Sequence, residues 1–425
     1  MSVRTAGVRN GKDLAIITTS NSFRSDSTNR IYLRSAAMAM ASASSLGFAR
    51  FSYSLILPAM ESTLHWDYQK LGTLNTVNAF GYLFGAFTAI SYTSKFGAKK
   101  TFTFAILSLA VMGLLTGVSS NFEILILART LSGLFGGITF VVGGSLISST
   151  TSHLGSKAAA TASGIYYAGA GTGILVSGLA IRPLLSVFGQ SSWKLGWIAM
   201  GTLCFISAAL ALPQTRHLLE PEHHSKKASL KFPIRGLEPS IITSALFGAG
   251  YISFVTFLIA FMTAEGSTGA TIAWFWAMLG ISAMITGPIW GRVLARLKGG
   301  VGLAAVLFVA TIGTAFPLIT KNFLVLMISA FLFGSSIMSV ATSYTILAQR
   351  NLEQRFVGSA IGVYTTAIAF GQIVGPISVG TLSDSSHGIR LGILASLAML
   401  LAGTLISLLQ KDQIGAKNVS VKATN

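Results

Sequence analysis

Apolar runs of about 20 residues recur from one end of the chain to the other, each long enough to cross a hydrocarbon core as a helix rising roughly 1.5 Å per residue. Twelve are predicted: 33–59, 71–93, 101–119, 123–148, 162–184 and 192–212, then 237–262, 269–291, 300–319, 323–347, 357–381 and 389–410. The expected organisation is a cytoplasmic tail (1–32), an N-terminal six-helix bundle (33–212), a cytoplasmic linker (213–236), a C-terminal six-helix bundle (237–410) and a second tail (411–425). The linker is the one long polar connector, with Glu220, Glu222, His223, His224, Lys226, Lys227, Lys231 and Arg235.

The halves look like copies. At a constant offset of 201 residues, Asn121-Phe122 matches Asn322-Phe323, Gly133 matches Gly334, and Ser52, Leu57 and Ala59 match Ser253, Leu258 and Ala260. A slightly shorter offset aligns Gly164-Ile165-Tyr166 with Gly362-Val363-Tyr364. Two six-helix repeats about an axis normal to the membrane, with a site at their interface, form a known plan of secondary transporters. The same register sets Tyr251 opposite Arg50 and Ala330 opposite Arg129, so both arginines inside apolar runs belong to the first repeat.

Composition agrees: 52% hydrophobic and 10% charged residues suit a bilayer and not an aqueous core. A net charge of +18 raises nucleic acid as a partner, but the placement of charge argues otherwise. With the N-terminus inside, 23 of the 30 lysines and arginines fall on the cytoplasmic side, 5 on the opposite side and 2 within the membrane. That is a positive-inside topology signal. Both termini are expected in the cytoplasm of a multi-pass cell-membrane protein, a monomer in the lipid bilayer, with no nucleic-acid partner. A secretory signal peptide is not expected, because polar residues precede a first run too long for an h-region. Cys204 is the single cysteine, which excludes an intrachain disulfide.

An arginine in the membrane costs at least ~2.5–3.5 kcal/mol on insertion scales and must face water or a partner. Arg50 lies on a stripe with Ala43, Gly47, Ser54 and Leu57. It falls about 6 Å to the outer side of its span's centre, and Arg129 about 9 Å to that same side, so the two can converge on one anion. No Asp or Glu occupies the central part of any span, which favours a mobile counter-ion, the substrate. The competing reading is that either arginine bonds helix carbonyls or a cavity water and only fixes packing. On the second span Asn75, Asn78, Tyr82 and Gly85 share a face, where amides serve a ligand or join helices. Tyr251 is the preferred aromatic partner through the repeat; for Tyr166, Tyr167, Tyr344, Tyr364 and Gln372 packing is the simpler account. Trp66, Trp193, Trp197, Trp274 and Trp276 are expected in an interfacial belt. Gly81/Gly85, Gly133/Gly137, Gly287/Gly291 and Gly371/Gly375 have the four-residue spacing of close helix contacts.

Twelve spans in a 6+6 repeat with a basic connector resemble the major facilitator superfamily, and local motifs agree. Ser94-Lys95-Phe96-Gly97-Ala98-Lys99-Lys100 is similar to the family's basic loop motif, and Arg292-Val293-Leu294-Ala295-Arg296 is a poorer copy. Both lack the usual aspartate, replaced by Ser94 and Ala295. Leu127-Ala128-Arg129-Thr130-Leu131-Ser132-Gly133 resembles the span-four arginine motif. Gly169-Ala170-Gly171-Thr172-Gly173 resembles the glycine-rich span-five motif, often associated with antiporters. Leu46-Gly47-Phe48-Ala49-Arg50-Phe51 and Asn75-Thr76-Val77-Asn78-Ala79-Phe80-Gly81-Tyr82 resemble the YbfB/YjiJ-type branch.

The fold class expected is therefore all-α integral membrane, with twelve transmembrane helices in two repeats. The expected function is alternating-access transport of a small organic anion bound by Arg50, Arg129, Asn75, Asn78 and Tyr251. The resemblance implies gating roles for Lys95, Gly97, Lys99, Gly169, Gly171 and Gly173. Efflux of lipophilic compounds and a non-transporting membrane sensor are the alternatives. No enzyme activity, cofactor or metal is expected: no nucleophile–base pair occurs in any span, and His223-His224 without further ligands is a poor metal site.

Overall fold

The computed structural model describes residues 28–221 and 236–412. The tail residues 1–27 and 413–425 and linker residues 222–235, with His223 and His224, lie outside them. Twelve rods follow in chain order. α1 comprises Thr28–Ser42, a π-helical segment Ala43–Phe51, and Tyr53–Leu64. Next come α2 (Tyr68–Phe96), α3 (Ala98–Thr116), α4 (Phe122–Thr151), α5 (Ser156–Phe188) and α6 (Trp193–Thr215). The second half has α7 (Glu238–Ala264), α8 (Gly269–Met284 and Thr286–Arg296), α9 (Val301–Ile319), α10 (Phe323–Ile337 and Ser339–Asn351), α11 (Gln354–Ser383) and α12 (Gly388–Ser407).

Among the described residues nine helices are long and apolar enough to cross a membrane, ten if bent α8 is one span. The two rods that fall short are α1, whose π segment cuts it into short pieces, and α2, diluted by Gln69, Lys70, Asn75 and Asn78. The 52° bend of α8 has a local cause. Pro288 has no N–H to give the carbonyl four residues back, and its ring clashes there, so the helix breaks just before it. Each half also repeats its caps. Asn121 Oδ1 accepts from the amides of Glu123 (2.9 Å) and Ile124 (3.2 Å), and Asn322 Oδ1 from Leu324 (3.0 Å) and Val325 (3.3 Å). The matched asparagines are matched N-caps.

In lipid the association of helices leans on close packing of small residues. A Cβ on Gly81 would lie 2.0 Å from the carbonyl oxygen of Thr130, and one on Gly133 2.1 Å from that of Asn78, so α2 and α4 interlock along both predicted glycine pairs. Gly371 and Gly375 press on α7 in the same way. Gly287 and Gly291 do not: nothing lies within 4 Å of a Cβ at either, a departure from the spacing argument. The tryptophan belt also needs correcting. Trp193, Trp197 and Trp276 are fully buried in the core, while Trp274 is exposed.

The end where α1 begins and α12 finishes is termed the terminal end, the opposite one the distal end. Bonds joining the halves gather distally. The Asp384 carboxylate, just past α11, accepts from the first amides of α2, Tyr68 (2.7 Å) and Gln69 (2.8 Å). Thr76 donates to the Ile373 carbonyl at 2.8 Å, and Trp276 Nε1 to Ser177 Oγ at 3.2 Å. α2 thus lies along α11, α5 along the first piece of α8, and Tyr53–Leu64 along α7.

Candidate substrate site

Arg50 sits in the π-helical stretch of α1, a 13-atom ladder locally widened and often found at functional positions. The chain passes α5 there almost at contact: a Cβ on Gly47 would meet Gly173 Cα at 2.3 Å, and one on Gly173 the Ala43 carbonyl oxygen at 2.5 Å. Gly169 faces the Ala39 carbonyl on the same side. Gly171 points the other way, toward Gly280 and Met284 of α8. The glycine-rich motif therefore has two faces, one on α1 and one on the opposite half.

The Arg50 guanidinium is buried. Its Nη2 donates to Gln372 Oε1 of α11 at 2.6 Å, and Gln372 Nε2 donates to the Tyr251 hydroxyl of α7 at 2.6 Å. Arginine has only donors, so the amide must turn its oxygen to Arg50 and its nitrogen to Tyr251. Tyr82 of α2 lies under the guanidinium at 5.1 Å, a cation–π contact, and Tyr251 stacks on Phe247 at 4.7 Å. Arg50 Nε has no partner. From Tyr82 a line of rings runs through Phe140 (6.3 Å) to Tyr167 (5.5 Å), and Tyr167 is 49% exposed. The buried cation is thereby joined to the surface by aromatic faces.

Arg129 is arranged differently. Fully buried, it donates from Nη1 to the Ala49 carbonyl at 2.6 Å, within the π segment, and its guanidinium lies over Tyr53 (5.1 Å) and Trp197 (4.7 Å). Nε and Nη2 have no partner. Asn78 Nδ2 donates to the carbonyl of Arg129 itself at 3.0 Å. Asn75 crosses the halves, giving Nδ2 to Thr256 Oγ1 at 2.5 Å. The structure thus brings Arg50 and Tyr251 together through Gln372, puts Asn75 beside Tyr251's own helix, and ties Arg129 and Asn78 to helix carbonyls. The immediate neighbours of Arg50 are Gln372, read from the sequence as a packing residue, and Tyr82, placed on the Asn75 face but left out of the binding set. Gln372 faces Arg50 across 322 positions of chain, and no local spacing encodes that.

Gly97 of the basic loop has φ +84°, the left-handed region that glycine favours. The next amides, Ala98 and Lys99, donate to the Glu220 carboxylate at 2.7 and 3.2 Å. Glu220, beyond α6, brings an acid to a loop whose aspartate position is Ser94. Lys95 Nζ lies over the Phe96 ring at 5.2 Å. The second half repeats the plan: Gly299 has φ +55° and gives its amide to the Asp412 carboxylate at 2.9 Å, beyond α12. Among the described residues no group of three or more His, Cys, Asp or Glu is placed to hold a metal.

Residues 42–408 match the family model described as "Uncharacterised MFS-type transporter YbfB". The chain belongs to that family. Members of the major facilitator superfamily are multi-pass membrane transporters of small molecules, the class this chain shares. Two chloramphenicol efflux pumps of Mycobacterium tuberculosis strains are each 21% identical over 346 residues, 79% of this chain and 82% of theirs. A bacterial homologue of the lysosomal transporter Spinster, inward-facing and occupied, superposes with a TM-score of 0.69 at 15% identity over 91% of this chain and 97% of its own. The nucleoside transporter NupG gives 0.67 at 13% over 89% and 97%, and a D-xylose-proton symporter 0.69 at 12% over 90% and 98%. At such identities these structures establish the fold alone.

Proposed function

We propose that this YbfB-type family member carries a small organic anion by alternating access, in twelve crossings with both termini cytoplasmic, as a monomer in the plasma membrane. The observation that carries the reading is Arg50: a buried guanidinium whose side-chain contacts are a neutral amide and an aromatic face, with Nε still unpartnered. A carboxylate that replaces Gln372 on Nη2 also reaches Nε, a two-point grip that suits an anion. Because Gln372 belongs to the other half, that exchange loosens one cross-half tie and couples ligand to conformation. Asn75, by its bond to Thr256, is a second tie. Arg129 and Asn78 support the site by fixing α1 and α2 on α4. The gating reading for Lys95, Gly97, Lys99 and the α5 glycines rests on the turn at Gly97 and the two-faced packing of α5.

Uptake of labelled organic anions into proteoliposomes tests this. Arg50→Ala and Arg50→Lys are expected to lower uptake tenfold or more while the melting temperature stays near wild type. Unchanged uptake in both variants would sink the assignment. The aromatic line and the two efflux-pump relatives favour a second reading, export of a lipophilic compound. There Arg50→Ala leaves transport of a neutral drug intact and Tyr82→Ala abolishes it.

A further inference from the structure

A third arginine, Arg182, lies outside the proposed substrate site. It occupies the distal part of α5, next to Pro183, with 9% of its surface exposed, and its Nε and Nη1 have no hydrogen-bond partner. Its Nη2 lies 3.7 Å from where a Cβ on Gly269 would stand, and Gly269 is the first residue of the 16-residue opening piece of α8. A guanidinium therefore presses against the positive end of a helix dipole, an arrangement that an anion between the two relieves. At that end the Thr268 side chain is engaged with Thr271, accepting from its amide at 3.2 Å and paired with its hydroxyl at 3.0 Å, which leaves the Gly269 and Ala270 amides for another acceptor. The acid nearest in sequence, Glu265, is engaged elsewhere, with Lys321 at 3.2 Å and Arg390 at 3.4 Å.

We propose that Arg182 and the N-terminus of α8 form a binding site for a small anion of halide or carboxylate type at the distal interface of the two halves. Its donors are the Arg182 guanidinium, whose Nη2 is the nitrogen beside Gly269, on one half and the first amides of α8 on the other. An anion gripped from both halves favours the arrangement in which their distal ends are together. The site is thus a distal clip, independent of Arg50.

The test uses the full chain in nanodiscs, with chloride exchanged for methanesulfonate at constant ionic strength, then acetate in place of chloride. A saturable rise in melting temperature of a few degrees is expected with chloride, and with acetate if carboxylates share the site. The rise disappears in Arg182→Gln. Gly269→Asp places a carboxylate against Arg182, since Arg182 is what a Cβ there would meet. This variant should be as stable without chloride as wild type is with it, and no longer respond. No chloride or acetate response in wild type, or an undiminished one in Gly269→Asp, overturns the proposal even where Arg182→Gln fails to fold.

Discussion

Arg50 and Arg129 are the same residue type, both inside apolar runs of the first half and both buried, and they are held in opposite ways. Arg129 stays within its own half: its acceptor is a carbonyl of α1, and its rings come from α1 and α6. Arg50 reaches across to α11 and, through Gln372, to α7. A cation whose neighbours move with it belongs to the frame. One whose acceptor sits on the other half has its environment rewritten whenever the halves shift. Both guanidinium groups are buried, so what separates them is the partner and not exposure.

The largest effect expected from this contrast concerns stability. Arg129→Ala empties a space between α1, α4 and α6, removes the bond to Ala49 and takes the cation from the faces of Tyr53 and Trp197. Losses of roughly 2–5 kcal/mol follow from core truncations of this size. The variant should give little monodisperse protein, and that which folds should melt well below wild type. Arg50→Ala should change melting far less while abolishing anion uptake. Equal destabilisation by the two would erase the distinction between them.

Next comes Gln372→Glu, which swaps the neutral acceptor of Arg50 for an internal carboxylate. The pair is then satisfied across the halves without substrate, so the cross-half tie tightens and the incoming anion loses its place. Anion transport should fall at least tenfold, equivalent to ~1.4 kcal/mol, with no drop in melting temperature. Retained transport would mean that the substrate does not use this guanidinium.

The all-α class, the family motifs and the matched caps are largely legible in the chain because each is written locally. Asn121 and Asn322 show this: a cap needs only its own next three residues. Arg50 was legible as an anomaly, a charge in an apolar run, and Tyr251 as its opposite number through the repeat. What the chain hid is relational. The π segment of α1 has no hydrophobic period of its own, and the partnership with Gln372 spans 322 positions. Trp193, Trp197 and Trp276 mislead for a related reason. Span ends are where interfacial tryptophans collect, yet whether an end packs inward is decided by its neighbours, and these three found Lys194, Arg129 and Ser177 beside them.

The repeat can be tested through its caps. Asn121→Ala and Asn322→Ala each remove an acceptor of two amides, and each should cost about 1 kcal/mol. Matched melting shifts, reversed by Asn→Asp at either site, are the expected result. A shift at one position only would mean that one half bears more of the fold's stability than the other.

The smallest effect separates charge from hydrogen bonding at the basic loop. Glu220→Gln removes the negative charge at the start of α3 and, because the Ala98 and Lys99 amides use different carboxylate oxygens, keeps an acceptor for only one of them. A charge beside a helix N-terminus contributes roughly 0.3–1 kcal/mol at low ionic strength, and salt screens it over about 10 Å at 0.1 M. The variant should therefore melt slightly lower than wild type in dilute buffer, and the difference should shrink in 1 M salt to what the one lost bond costs. A deficit that salt leaves unchanged would come from the lost bond alone, and Glu220 would then be a plain cap and not a stand-in for the carboxylate that Ser94 lacks. Asp412→Asn on Gly299 should show the same salt-sensitive difference if the second half uses its acid in the same way.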